Sequence, residues 1–219
     1  MTIKDFKAII FDMDGLLVDS ETVWYKTEKN MIESRGYEYT DEVRDSIVGM
    51  RVDEFLQNLH AHYGLTESVE ALNDQLISEM LEVIPVEVLV QPGADEMLQF
   101  VVDNDIPHAI ASSSPMSIID ATLEAQGWDS IFARRFSADD DEKGKPAPDV
   151  YLRAMRELGF EPHECLALED SPNGSRAAVA AGMTCYSVPD KSHTKAEAFK
   201  DITPHVFKSL HDVLAKLKA

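Results

Sequence analysis

The sequence predicts an α/β protein: a mostly parallel sheet flanked by helices and interrupted by a small all-helical insert. Three observations carry this expectation. Beyond Pro92-Gly93, short apolar runs alternate with segments of helical spacing, the order of a parallel sheet with helical crossovers. From Glu21 to Ile84 the spacing is helical and no strand pattern intervenes. The first apolar run, Ala8-Ile9-Ile10-Phe11, is of the kind a fully buried strand shows. A length of 219 residues suffices for one substantial core plus a smaller unit. The expected division is a core of residues 1–19 and 85–219 and an inserted helical unit of residues 20–84.

Taken in order, Glu21 to Arg35 reads as a helix stopped by Gly36, and Thr40-Asp41 as a helix start leading to Gly49-Met50-Arg51. Val52 to His62 carries Phe55, Leu56 and Leu59 at helical spacing and ends at Gly64. Thr66-Glu67-Ser68 opens a run through Leu72, Leu76, Met80 and Ile84, which Pro85 is expected to stop. A helix from Ala94 to Asn104 precedes a strand from His108 to Ser112. Ser114 is expected to cap the next helix, with Pro115 at its first position and Gly127 ending it. A short strand near Arg135-Phe136-Ser137 leads to a polar loop from Ala138 to Pro148 and a helix capped by Asp149. Glu164 to Leu168 reads as a buried strand, Ser171-Pro172 as another cap and Gly182 as that helix's end. Strands at Thr184 to Val188 and Val206-Phe207 and a helix from Leu210 complete the chain.

Composition narrows the function. Hydrophobic residues make up 44% and charged residues 27%, as in a soluble globular protein. No apolar stretch approaches the roughly 20 residues that span a bilayer. The N-terminal residues lack a signal-peptide pattern, so a cytoplasmic location is expected. Cys165 and Cys185 lie in apolar runs and read as reduced core cysteines. A net charge of −20, from 40 acidic and 20 basic residues, opposes nucleic acid and anionic membrane as partners. Any phosphate site must therefore carry local positive charge. Between Arg51 and Arg134 there is no Lys or Arg at all, which makes each well-placed cation informative.

In sheets of this kind reactive groups gather beyond the C-terminal ends of strands. Three such ends carry polar residues: Asp12-Met13-Asp14-Gly15, Ser112-Ser113-Ser114 and Glu169-Asp170. A fourth piece, Gly144-Lys145-Pro146, lies in the loop after another expected strand. Clustered carboxylates without histidine favour a hard cation with oxygen ligands, and Mg²⁺ is the usual choice beside a phosphate. A serine hydroxyl donates to a phosphoryl oxygen, as do backbone N–H groups at a helix start. Lysine neutralises charge on a carboxylate nucleophile and in the transition state. One carboxylate can attack phosphorus while a second moves protons. The chemistry these pieces suit is phosphoryl transfer.

The order of Asp12-Met13-Asp14-Gly15, Ser112, Lys145-Pro146-Ala147-Pro148-Asp149 and Glu169-Asp170-Ser171 resembles the haloacid dehalogenase superfamily. The similarity is greatest to the subgroup of β-phosphoglucomutase and small sugar-phosphate phosphatases. It covers nearly the whole chain, and the helical insert matches that subgroup's cap domain on a Rossmann-like core. The resemblance implies a nucleophile and metal ligand at Asp12. Asp14 matches the general acid/base, which also offers its carbonyl to Mg²⁺. Ser112 matches the hydroxyl holding the transferring phosphoryl group, Lys145 the lysine bridging nucleophile and phosphate, and Asp170 an acidic metal ligand. Glu169 ligates the metal directly or through water. Ser113 and Ser114 are placed beside the substrate phosphate.

Asp14 points to phosphate substrates, since dehalogenating members generally lack this aspartate. Mutases of the subgroup carry a cap histidine where this chain has Trp24, and they use basic cap residues that the later cap helices here do not have. Gly49-Met50-Arg51 instead resembles the Gly-x-Arg cap loop of sugar-phosphate phosphatases. Arg51 is therefore expected to contact substrate, and Trp24 to stack on a sugar ring or pack the cap. The resemblance implies a monomeric Mg²⁺-dependent phosphatase acting on a small phosphorylated metabolite, with the mutase and a phosphoaspartate signalling module as alternatives.

Overall fold

The computed structural model describes residues 1–47, 49–190 and 195–219. The chain opens with β1 (Ala8–Phe11) and β2 (Val18–Asp19), and then makes its helical excursion. That excursion comprises α1 (Glu21–Glu33), α2 (Asp41–Asp45), α3 (Val52–Tyr63) and α4 (Val69–Glu87). It returns through β3 (Leu89–Val90), α5 (Ala94–Asp103), β4 (His108–Ser112), α6 (Met116–Gln126) and β5 (Arg135–Ser137). The chain closes with α7 (Asp149–Leu158), β6 (Cys165–Glu169), α8 (Pro172–Ala180), β7 (Thr184–Ser187) and α9 (Leu210–Lys218).

Five strands form one parallel sheet in the order β5-β4-β1-β6-β7. Central position explains the composition of β1. Ile9 and Phe11 join the larger core on one face, while Ala8 and Ile10 join a second core with Val150, Tyr151 and Ala178 on the other. All four residues of β1 have no exposed surface, so the strand cannot alternate in polarity. Parallel neighbours also bring the ends of β4, β1 and β6 to one edge, since Phe11 pairs with Ile110 on one side and Leu168 on the other.

The entry to and exit from the helical unit are tied together. β2 and β3 pair antiparallel, with Val18 opposite Val90 and Asp19 opposite Leu89. Gln91 strengthens that seam by donating its backbone N–H to the Leu17 carbonyl (2.9 Å) and its side chain to the Gly15 carbonyl (3.1 Å). Beyond it, Trp24, Phe55, Leu56, Leu72, Leu76 and Met80 are buried in the helical unit and continuous with the larger core on one face of the sheet.

Several local expectations are corrected. Pro85 does not end its helix, because α4 continues to Glu87 and the Val88 N–H still closes onto the Ile84 carbonyl (3.3 Å). A proline this near a C-terminus forfeits one hydrogen bond of a frayed last turn, a smaller loss than in a helix interior. The expected boundary at residue 84 therefore falls inside α4. Pro115, not Ser114, is the N-cap of α6, and Ser114 is drawn to Asp14 instead. Asp149 is the first residue of α7 rather than its cap. Val206-Phe207 contributes a single bridge to Ser187 rather than a strand. Among the described residues no helix is long and apolar enough to cross a membrane.

Candidate active site

Four chain segments converge beyond the carboxyl edge of the sheet. Asp12 follows β1 directly, with its backbone N–H donating to the Leu168 carbonyl at 2.9 Å. The chain then turns sharply at Gly15, whose φ of +74° suits glycine. A Cβ on Gly15 would overlap the Asp170 carboxylate, so this turn brings the backbone against the end of β6.

Lys145 reaches the centre from the loop before α7 and is only 3% exposed. Its Nζ donates to Asp12 Oδ1 (2.8 Å), Glu169 Oε1 (2.7 Å) and the Ala111 carbonyl (3.0 Å). The Tyr151 ring lies 5.0 Å below the ammonium, and its hydroxyl donates to Glu169 Oε1 at 2.6 Å. Glu169 Oε2 accepts from the Asp170 N–H (3.2 Å), the Ser171 N–H (3.4 Å) and the Ser171 hydroxyl (3.4 Å). Both oxygens of Glu169 thus accept from protein donors. Gly174 on α8 keeps room for this carboxylate, since a Cβ there would stand inside it.

The electrostatics of this cluster are unbalanced. Asp12, Glu169 and Asp170 are all buried, with ligand atoms within 4.8 Å of one another, and Lys145 pairs with Asp12 and Glu169. Burial pushes Asp12 up to about 7 against the pull of Lys145, with Glu169 and Asp14 adding to the rise. Burial likewise holds Asp170 well above its ordinary range, aided by Asp12 and Glu169. Burial opposes the charge on Lys145, yet Asp12 and Glu169 together keep it above the usual lysine range. Three carboxylates gathered this closely offer the oxygen donors that a hard divalent cation takes. The residues fit such an ion.

Asp14 faces the same space and accepts four hydrogen bonds. Ser20 Oγ (2.7 Å) and Trp24 Nε1 (3.3 Å) donate to Oδ1, while Ser114 Oγ (2.8 Å) and Ser112 Oγ (3.2 Å) donate to Oδ2. The Ser112 hydroxyl also accepts from the Ser114 N–H at 3.0 Å. Ser113 reaches the cap, donating to the Gly49 carbonyl at 3.2 Å. Trp24 therefore does more than pack, although its ring also meets Phe55 edge-on at 6.4 Å.

The sheet edge and the helical unit enclose a cavity of about 50 Å³ lined by Asp12, Asp14, Lys145 and the three serines below. Above stand Glu21, Trp24, Glu28, Arg44, Met50 and Phe55. Arg51, expected to contact substrate, is not among the residues lining this cavity. Its guanidinium pairs with Asp53 (2.6 Å) and donates to the carbonyls of Asp141 (3.0 Å) and Ala138 (3.3 Å), fastening cap to core at the rim. Arg44 occupies the cavity instead, paired with Glu21 (2.5 Å) and Glu28 (2.8 Å). Burial pushes Glu21 up to about 8 despite Arg44, with Asp14 adding to the rise.

Glu21, Glu28, Arg44 and Tyr151 belong to none of the four motifs. The scarcity of cations was a usable signal for Arg44, and the seven-residue spacing of Glu21 and Glu28 puts both on one face of α1. Tyr151 lay hidden in an ordinary apolar helix face.

Comparison with known proteins agrees with this architecture. The family model of haloacid dehalogenase-like hydrolases matches residues 9–188. Hexitol phosphatase B of Escherichia coli strain K12 is 33% identical over 195 residues, covering 86% of this chain and 86% of that one. The phosphorylated carbohydrates phosphatase of Thermotoga maritima is 30% identical over 177 residues, covering 81% of this chain and 82% of that one. Among solved structures, CbbY from Rhodobacter sphaeroides in complex with phosphate has a TM-score of 0.88 at 24% identity, covering 98% of this chain and 100% of that chain. That likeness speaks to the fold, whereas the two phosphatases and the family model speak to the lineage. The chain belongs to the haloacid dehalogenase-like hydrolases and is a phosphatase of that family.

Proposed function

We propose that the protein hydrolyses sugar or polyol monophosphates in a Mg²⁺-dependent reaction through an aspartyl-phosphate on Asp12. The observation that carries this reading is Lys145 held between Asp12 and Glu169 inside a cluster of three buried carboxylates whose ligand atoms lie within 4.8 Å of one another. Asp12 is the nucleophile. Lys145 orients it and keeps a positive charge beside the phosphoryl group, while Tyr151 and the backbone N–H groups after β6 fix Glu169 and so fix Lys145. Asp14, placed by its four donors, protonates the leaving alcohol and then takes a proton from the attacking water. Ser112 and Ser114 exchange their bond to Asp14 for one to a phosphoryl oxygen as substrate enters. Asp12, Asp170 and the Asp14 carbonyl would hold Mg²⁺, with Glu169 directly or through water, and the ion would neutralise phosphoryl charge.

Residues 20–84 serve as the cap in this reading. A cavity of about 50 Å³ is too small for a sugar phosphate, so substrate entry requires the cap to lift. Reclosure excludes water while Asp12 is attacking. Phosphate release from a panel of sugar and polyol phosphates, with Mg²⁺ and with chelator, tests the proposal. Release that needs the metal supports it, and release unaffected by chelator contradicts it.

A second expectation concerns pH. In the metal-free protein Asp12 lies near 7 against an ordinary value of 3.8, and Asp170 is raised as well. The folded state then binds more protons than the unfolded state between these values, so metal-free stability declines as pH rises through the window. Mg²⁺ competes with those protons. Thermal stabilisation by Mg²⁺ is expected to be larger near about pH 8 than near about pH 5. Equal shifts at both would contradict the assignment of these carboxylates to the metal.

A further inference from the structure

The cap wall of the cavity holds a charged cluster with no part in the chemistry described above. Arg44 lies on the one-turn helix α2 and is 6% exposed. Its guanidinium donates to Glu21 Oε2 (2.5 Å), the Glu21 carbonyl (3.0 Å) and Glu28 Oε2 (2.8 Å). The Tyr39 hydroxyl donates to the same oxygen of Glu28 at 2.5 Å. Glu21, Glu28 and Arg44 all border the cavity, beside an apolar wall that includes Trp24, Met50 and Phe55.

We infer that Glu21, Glu28 and Arg44 form the wall that recognises the leaving group, selecting a neutral, hydroxyl-bearing one and rejecting one that carries a second phosphate. The inference rests on the phosphatase reading above and deepens it. Hydroxyl groups suit this wall because each both donates and accepts, and carboxylate and guanidinium supply the two complements side by side. The apolar wall beside it suits the C–H face of a sugar or polyol chain. A second phosphate finds the reverse. Its charge needs an unshared cation, and the one guanidinium among the described lining residues of the cap is already paired twice. Two carboxylates face this one guanidinium, so the wall offers a second phosphate no unshared cation. Arg51 does not serve instead, being engaged at the rim by Asp53 and two core carbonyls.

The test compares three substrates: a hexitol phosphate, phenyl phosphate, whose leaving group has no further hydroxyls, and a hexose bisphosphate. Wild-type kcat/KM is expected to favour the hexitol phosphate over the bisphosphate by about a hundredfold or more. In Glu21→Gln, which keeps the side-chain shape and an acceptor for Arg44, the preference for hexitol phosphate over phenyl phosphate is expected to fall about tenfold, chiefly through KM. An unchanged ratio in that variant overturns the inference. So does a wild-type enzyme that turns over the bisphosphate as well as the monophosphate, a result that needs no variant to fold. Hydrolysis of phenyl phosphate by the wild type reports on the phosphatase reading separately. If none of the three substrates is hydrolysed with Mg²⁺ present, both readings fall; if phosphate is released without the expected preferences, only this one does.

Discussion

Asp12→Asn is expected to abolish phosphate release, lowering kcat by at least about 10³-fold, while the protein remains folded. The two halves of that expectation have different physical origins. The amide keeps the shape of the carboxylate and an oxygen for the Lys145 ammonium 2.8 Å away, so packing and orientation persist. It cannot attack phosphorus, because its lone pair is delocalised and it carries no charge. Stability is expected to hold or rise in the metal-free protein. Burial and the neighbouring carboxylates already push Asp12 up to about 7, so removing this anion relieves a cost rather than adding one. Lys145 keeps Glu169 as a partner at 2.7 Å. Thermal melts with and without Mg²⁺ check this: the metal-free midpoint should not drop, and the Mg²⁺ increment should shrink. Turnover like the wild type would sink the mechanism.

Asp14→Asn is expected to lower kcat by about 10²–10⁴-fold for a sugar or polyol phosphate, the range for loss of a general acid/base. The effect should be smaller for phenyl phosphate in the first step, because a better leaving group needs less help from an acid. Breakdown of the phosphorylated enzyme should be slow for every substrate, since the same residue activates water. Structure is expected to survive here too. Trp24 Nε1 is a donor only and still finds the Asn carbonyl oxygen, while the hydroxyls of Ser112 and Ser114 can turn to accept from its amide. The ratio kcat/KM on both substrates, which reports on the first step alone, reads the difference. Equal losses on both in the first step would argue against Asp14 as the acid.

Much of the architecture was legible because it depends on short-range patterns. Continuous apolar runs marked β1 and β6, which lie inside the sheet, and the parallel order then obliged Asp12, Ser112 and Glu169 to meet at one edge. What the pattern could not show is which way a side chain turns once neighbours compete for it. Ser114 reads as a helix cap, but Asp14 is a stronger acceptor for its hydroxyl, and the cap shifts to Pro115. Pro85 reads as a stop, but the packing of α4 against α1, α3 and α6 carries the helix past it.

The two arginines make the same point about the cap. Arg51 carries the recognisable loop motif, yet the carbonyls of Ala138 and Asp141 lie across the seam and take its guanidinium. Arg44 has no motif, and its destination is set by two glutamates one helix away. Partners brought by tertiary packing decide both positions. Tyr151 is a further case, since its hydroxyl matters only because β6 delivers Glu169 beneath it.

The central claim is that the phosphoryl group passes through Asp12. The direct measurement uses Asp14→Asn, acid-quenched after reaction with phenyl phosphate and Mg²⁺, with peptide mapping by mass spectrometry. The account predicts a phosphoryl group on Asp12 that accumulates in this variant and is absent from the Asp12→Asn, Asp14→Asn double variant. Phosphate release by Asp14→Asn with no modified Asp12, or a phosphoryl group found on another residue, would contradict it.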